Sequence, residues 1–156
     1  MSKTVEQRLQ ILEDERELRD LLSRYSFNAD LGRTKEYSEL YTEDGAIDLR
    51  DMGLERYKGK QSILKDFISQ PAAADVAGRS FHHAAPTVFH IEGDDATGEG
   101  FSTLLYLNDD GSLAIVHANY SHWTFRREQD EWKIVEREIR LIGSKEANQL
   151  FKKSIR

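Results

Sequence analysis

No cysteine occurs among the 156 residues, which excludes a disulfide framework and a thiolate nucleophile and fits a reducing, cytoplasmic compartment. Long apolar runs are also missing, so no segment is expected to span a bilayer. The first ten residues, MSKTVEQRLQ, hold no apolar core ahead of a cleavage site, and no signal peptide is expected there. Clustered Lys and Arg are absent too. With a formal net charge of −6, a phosphate backbone is a poor partner and nucleic-acid binding is not expected. Internal repeats and low-complexity segments are lacking. What remains, 38% hydrophobic and 32% charged residues, is the composition of one soluble globular domain, and the expected ligand is a small, apolar or weakly polar molecule.

The hydrophobic pattern puts helices first and strands last. Between Val5 and Asn28, Leu18, Leu21, Leu22 and Tyr25 recur at three- and four-residue steps with Glu13, Asp14, Glu17 and Arg24 between them, which predicts an amphipathic helix. Leu31-Gly32-Arg33-Thr34 interrupts it, and Thr34 is read as the N-cap of a short second helix carrying Tyr37, Leu40 and Tyr41. Glu43-Asp44-Gly45 reads as a turn and Ala46 to Leu49 as a strand. A third helix follows Tyr57-Lys58-Gly59, with Ile63, Leu64 and Phe67 as its buried stripe. Gln70 to Gly78 reads as a loop of small residues. Period-two runs then cover His82 to Ile91, Ala96 to Leu107, Leu113 to Arg127 and Trp132 to Leu141, separated by the turn clusters Glu92-Gly93-Asp94-Asp95 and Asn108-Asp109-Asp110-Gly111. Four strands joined by tight turns make an antiparallel meander, and three helices over a bent sheet complete an α+β domain. The domain is expected to span residues 1–143. The tail, 144–156, reads as a peripheral helix or a flexible end, with Leu150 and Phe151 its main apolar residues.

Several strings in this order are those of a known family. Arg24-Tyr25-Ser26-Phe27-Asn28-Ala29-Asp30, Leu40-Tyr41-Thr42-Glu43-Asp44-Gly45, Tyr57-Lys58-Gly59-Lys60, His82-His83, Gly93-Asp94-Asp95-Ala96 and Trp132-Lys133-Ile134 together resemble the SnoaL-like family of the NTF2-like superfamily. The resemblance reaches to about Gly143. It implies a cone in which three N-terminal helices pack on a strongly curved, mixed but mainly antiparallel sheet around an apolar pocket. Members include scytalone dehydratase, bile-acid dehydratase, a dehydrochlorinase, ketosteroid isomerase relatives, polyketide cyclases and proteins without catalysis. The eliminating members pair an Asp after the first helix with a His opening a central strand; the resemblance assigns these to Asp30 and to His82 or His83. Spacing back from Gly93-Asp94 favours His82, whereas a one-residue bulge selects His83. Similarity to bile-acid dehydratase adds Tyr25 and Arg140. A substrate-binding Tyr of scytalone dehydratase corresponds here to Leu49, which speaks against that substrate.

Such a set has a chemical logic. Imidazole titrates near neutrality and takes a proton from carbon with little tuning. An Asp on its other nitrogen sets the tautomer and stabilises the imidazolium. A Tyr and an Arg would hold a leaving hydroxyl or a carbonyl. The implied activity is a cofactor-free, metal-free lyase or isomerase, with dehydration foremost, on a small cyclic substrate of steroid or polyketide type. The alternative is a non-catalytic binding or structural domain, such as the small subunit of an oxygenase. Read as packing alone, Tyr25 belongs to the apolar stripe, and Arg140 beside Glu136 and Glu138 suits a cross-strand ion pair. His90, His117 and His122 have no Cys or carboxylate at ligand spacing, so zinc is not expected. Gly98-Glu99-Gly100 lacks the helix of a phosphate loop, and no serine sits in a nucleophile elbow. Trp and Tyr on an outer sheet face predict a homodimer or homotrimer; sedimentation velocity checks this, with a monomer-only profile as the contrary result.

Overall fold

The computed structural model describes residues 3–147 and residue 149; Leu150 and Phe151 of the tail lie outside the described residues. Helix α1 (Val5–Asp30) starts at a reciprocal cap, in which the Gln7 amide donates to Thr4 Oγ1 at 3.2 Å and the Thr4 amide to Gln7 Oε1 at 2.9 Å. Its buried stripe is Leu18, Leu21 and Tyr25, and it ends with Asn28 and Asp30 also buried. Helix α2 (Thr34–Ser38) begins at Thr34 itself; Arg33 takes the cap position without a side-chain bond, one residue before the expected cap.

Strand β1 (Tyr41–Asp48) runs straight through the expected turn at Glu43-Asp44-Gly45. The turn residues form an irregularity in the strand, where the ladder to the last strand shifts register between Tyr41 and Ala46. Gly45 permits this: a Cβ there would sit 3.0 Å from both Tyr41 Cβ and the Thr42 carbonyl. After a single 3₁₀ turn (Arg50–Met52) come β2 (Arg56–Lys58) and α3 (Lys60–Ser62), which widens into a π-helical turn over Ile63–Ile68. The segment expected to be a loop contains a fourth helix, α4 (Pro71–Val76), opened by Pro71 at its first turn. Proline is preorganised for that position, and the following alanines are strong helix formers.

The expected His82-to-Ile91 strand is two, β3 (Ser80–Ala84) and β4 (Val88–Glu92), parted at Ala85-Pro86-Thr87. Proline cannot donate to a ladder, so the chain leaves the sheet there and returns. Strands β5 (Asp95–Leu107), β6 (Leu113–Glu128) and β7 (Glu131–Leu141) form the predicted meander. The seven strands lie in the order β2-β1-β7-β6-β5-β3, with β4 also on β5. Among the described residues only β1 and β7 are parallel, which makes the sheet mixed and mainly antiparallel. Among the described residues no helix is long and apolar enough to cross a membrane.

The core lies between α1, α2 and the inner sheet face, on Leu18, Leu21, Tyr37, Tyr41, Ile47, Ile63, Phe125 and Ile134. Both tryptophans belong to it, at 5% and 4% exposure for Trp123 and Trp132, and neither is on an outer face as expected. Exposed apolar side chains on the sheet instead include Phe101, Leu113, Ile115 and Val116.

At the far edge of the core, Asp48 accepts from Arg50 Nε and Nη2, both at 2.9 Å, and from Arg140 Nη2 at 2.8 Å. Hydrogen bonds from Arg50, reinforced by Arg140 and opposed by burial, hold its carboxyl well below the ordinary carboxylate range. A depressed native pKa contributes stability above the unfolded value and loses it as pH falls. Asp48→Asn should therefore cost about 1–3 kcal/mol at neutral pH, and its deficit against the unaltered protein should shrink below about pH 4; thermal melts from pH 7 to pH 3 check this.

Candidate active site

The last residue of α1 and the third of β3 meet. Asp30 Oδ2 accepts from the His82 backbone amide at 2.8 Å, and Asp30 Oδ1 lies 2.6 Å from His82 Nδ1. The neighbouring backbone is tied as well, with the Gly78 amide donating to the Asp30 carbonyl at 2.7 Å. A helix C-terminus favours cations, so an aspartate in the last turn works against the helix dipole; the two bonds from His82 offset that. An ionised carboxylate only accepts, so Nδ1 carries the ring proton and Nε2 is left as the basic nitrogen. Strand alternation then separates the two histidines: His82 lines the cavity, while His83, between His82 and Ala84 on β3, is exposed.

The cavity measures about 460 Å³, within the range of small-molecule sites. Ile47, Leu49, Met52, Tyr57, Phe67 and Ile139 make most of its apolar wall. Its polar side is built from α1, α2, β3, β6 and β7. Tyr25 is there, at 4% exposure. Its oxygen accepts from the Tyr37 hydroxyl and from Arg137 Nη1, the latter at 2.6 Å. With both lone pairs taken, the Tyr25 O–H is the donor left for a ligand. Burial pushes the Tyr37 hydroxyl well above the ordinary phenol range, with the neighbouring Tyr25 and Tyr41 adding to it, so it stays a neutral donor.

Arg137 was not among the residues singled out from the sequence. It is 3% exposed and, among the described residues, faces no carboxylate within ion-pair distance. Its guanidinium lies against the faces of two rings that also touch each other, 4.9 Å from the Tyr25 centroid and 4.5 Å from that of Trp123. It donates to Ser121 Oγ from Nη2 at 3.0 Å and to Tyr25. His117 and Asn119 also reach the cavity, with Asn119 Nδ2 3.2 Å from His117 Nδ1. Burial lowers the His117 pKa, with the neighbouring His82 and the Arg137 guanidinium adding to it, which favours the neutral imidazole.

Arg140 stands elsewhere. It pairs with Asp48 and, at 3.1 Å, with Glu138, and it does not line the cavity. The reason is a bulge: the β6–β7 register shifts between Thr124 and Phe125, so Ile134 and Phe125 pair but Glu136 faces Thr124. Trp132 and Ile134 point inward before it, Arg137 and Ile139 after it. Strict alternation from Trp132 carries Arg140 inward; one extra residue at Val135 substitutes Arg137. The structure thus brings Tyr25, Asp30 and His82 together and leaves His83 and Arg140 outside. Among the described residues no three His, Asp or Glu side chains converge as metal ligands.

Residues 10–138 match the model of the SnoaL-like domain. An NTF2-like protein with a cystatin-like fold from Novosphingobium aromaticivorans superposes with a TM-score of 0.82 at 34% identity, over 92% of each chain. A point variant of Rv3472, a function-unknown protein from Mycobacterium tuberculosis, has a TM-score of 0.74 at 21% identity, over 94% of this chain and 79% of its own. A Catenulispora acidiphila protein in complex with S-DNPA has a TM-score of 0.69 at 16% identity, over 87% and 95%. No match is found among curated proteins. This chain belongs to the SnoaL-like family, with the NTF2-like fold.

A buried guanidinium without a carboxylate counter-charge costs stability. Arg137→Met, close in length and apolar, should therefore melt at or above the temperature of the unaltered protein, by about 2–4 °C if ~1 kcal/mol is recovered. A melting point lowered by that amount would make the guanidinium a structural strut instead.

Proposed function

We propose that the protein is a cofactor-independent lyase or isomerase acting on a small, apolar cyclic substrate with a hydroxyl β to a carbonyl, most directly a dehydratase of steroid- or polyketide-like compounds. The observation that carries this reading is the Asp30–His82 pair opening on an apolar cavity. His82 Nε2 takes the proton from the carbon next to the carbonyl, and Asp30 stabilises the imidazolium formed. The C–H electron pair moves into the enolate, whose oxygen is held by the Tyr25 O–H and the Arg137 guanidinium. When the enolate collapses, the C–O bond to the β-hydroxyl breaks, and the imidazolium returns its proton to the departing oxygen. Water and a conjugated ketone leave, and His82 is again neutral. With a β,γ double bond in place of the β-hydroxyl, the imidazolium returns its proton to the γ carbon of the dienolate and the product is the conjugated isomer. Exposed Phe101, Leu113, Ile115 and Val116 support a homodimer or homotrimer, with the cytoplasm as its compartment.

A panel of cyclic β-hydroxy ketones in D₂O tests the reading, scored by ultraviolet absorbance of the enone and by deuterium entering the carbon next to the carbonyl. His82→Ala and Asp30→Asn should each lower turnover by about 10²- to 10⁴-fold, and Arg140→Gln should leave it within about twofold. Turnover that survives loss of His82 sinks the assignment.

A further inference from the structure

A second chamber, of about 30 Å³, lies beside the cavity. It shares Tyr25, His82 and Arg137 with the cavity. On its other side it shares Leu22, Ser26, Ala84 and Thr87 with a groove on the outside of the molecule, between α1 and the β3–β4 crossover. The outer wall is close-fitting. A Cβ on Gly100 would lie 3.0 Å from Thr87 Oγ1, and one on Gly98 3.0 Å from Thr87 Cγ2, so the two glycines let the crossover press against β5.

Its volume is that of a single water molecule, and a buried water needs two to four polar partners. The side chains around it supply them. Ser102 Oγ and Ser121 Oγ donate to Asn119 Oδ1 at 3.0 and 3.1 Å, which leaves their oxygens as acceptors, partly used by Arg137. The Tyr25 O–H and the second N–H of Arg137 Nη1 remain as donors. Donors and acceptors thus face one water-sized space beside a buried positive charge, suited to water or to the hydroxide-like oxygen that leaves in an elimination.

We propose that this chamber is a water site and a back exit: water passes between the cavity and the outer groove by way of Arg137, Ser102 and Ser121, while the organic substrate enters at the exposed edge near Leu54. The purpose given to the exit rests on the dehydratase reading; the path itself rests on the geometry alone. It also sets a size limit, since a leaving group much larger than hydroxide does not fit the chamber.

Exchange of the Arg137 Nε–H with water, measured by NMR on the full chain carrying ¹⁵N-arginine, tests the path without any substrate. Ala84→Leu narrows the outer end, and Ser26→Leu does so from the helix if Ala84→Leu does not fold. Leu54→Trp instead crowds the substrate's edge. Closing the back should slow the exchange by about tenfold or more, whereas Leu54→Trp should leave it unchanged. No slowing in the back variant, or equal slowing in Leu54→Trp, overturns the proposal. Failure of the dehydratase reading would appear in turnover and not in this exchange.

Discussion

The Asp30 carboxylate grips two atoms of one residue, the backbone amide and the ring of His82, and the rest of the site follows from that grip. It joins the end of α1 to the edge strand β3, 52 positions later in the chain. With the Gly78 amide on the Asp30 carbonyl, it sets where β3 begins, and therefore which histidine of the pair faces inward. The carboxylate sits where a helix dipole disfavours negative charge. Such a residue is held in place by its partner more than by its own element, which is the mark of a position kept for chemistry or for joining elements rather than for helix stability.

The buried Arg137 and the half-buried Arg127 and Arg140 divide by what faces them. Arg127 meets Asp14 and lies 4.5 Å over the Trp132 ring; Arg140 meets Asp48. These are compensated charges that tie α1 and the β1 edge to the sheet. Arg137 has hydroxyls and aromatic faces around it and, among the described residues, no carboxylate. An uncompensated cation in a low-dielectric wall attracts whatever negative charge develops beside it. The bonds that hold it also orient the Tyr25 hydroxyl, so the charge and the proton donor act as one unit.

Much of the molecule can be read along the chain. The apolar stripe of α1, the turn clusters between β5, β6 and β7, and the ordered strings shared with SnoaL-like proteins lead to the α+β cone. Asp30 and the His82-His83 pair were visible by the same route. The misreadings have local causes. The alanine-rich stretch after Pro71 is too short for helical periodicity to show. Gly45 marks an irregularity in β1 that looks like a turn when the parallel partner β7 is out of view. Pro86 divides a run whose two halves both pair with β5.

Sequence order and residue chemistry were enough to name the family, the helix-then-meander layout and Asp30 with one of two histidines as a candidate pair, because these depend on patterns a few residues long. The cationic member of the site was not accessible that way. Arg137 and Arg140 are three residues apart on one strand, and a single bulge at Val135 decides which of them lines the cavity and which pairs with Asp48 outside it. A bulge arises from how β7 accommodates β6 on one side and β1 on the other. That is a property of three strands together, so only their packing could place the charge.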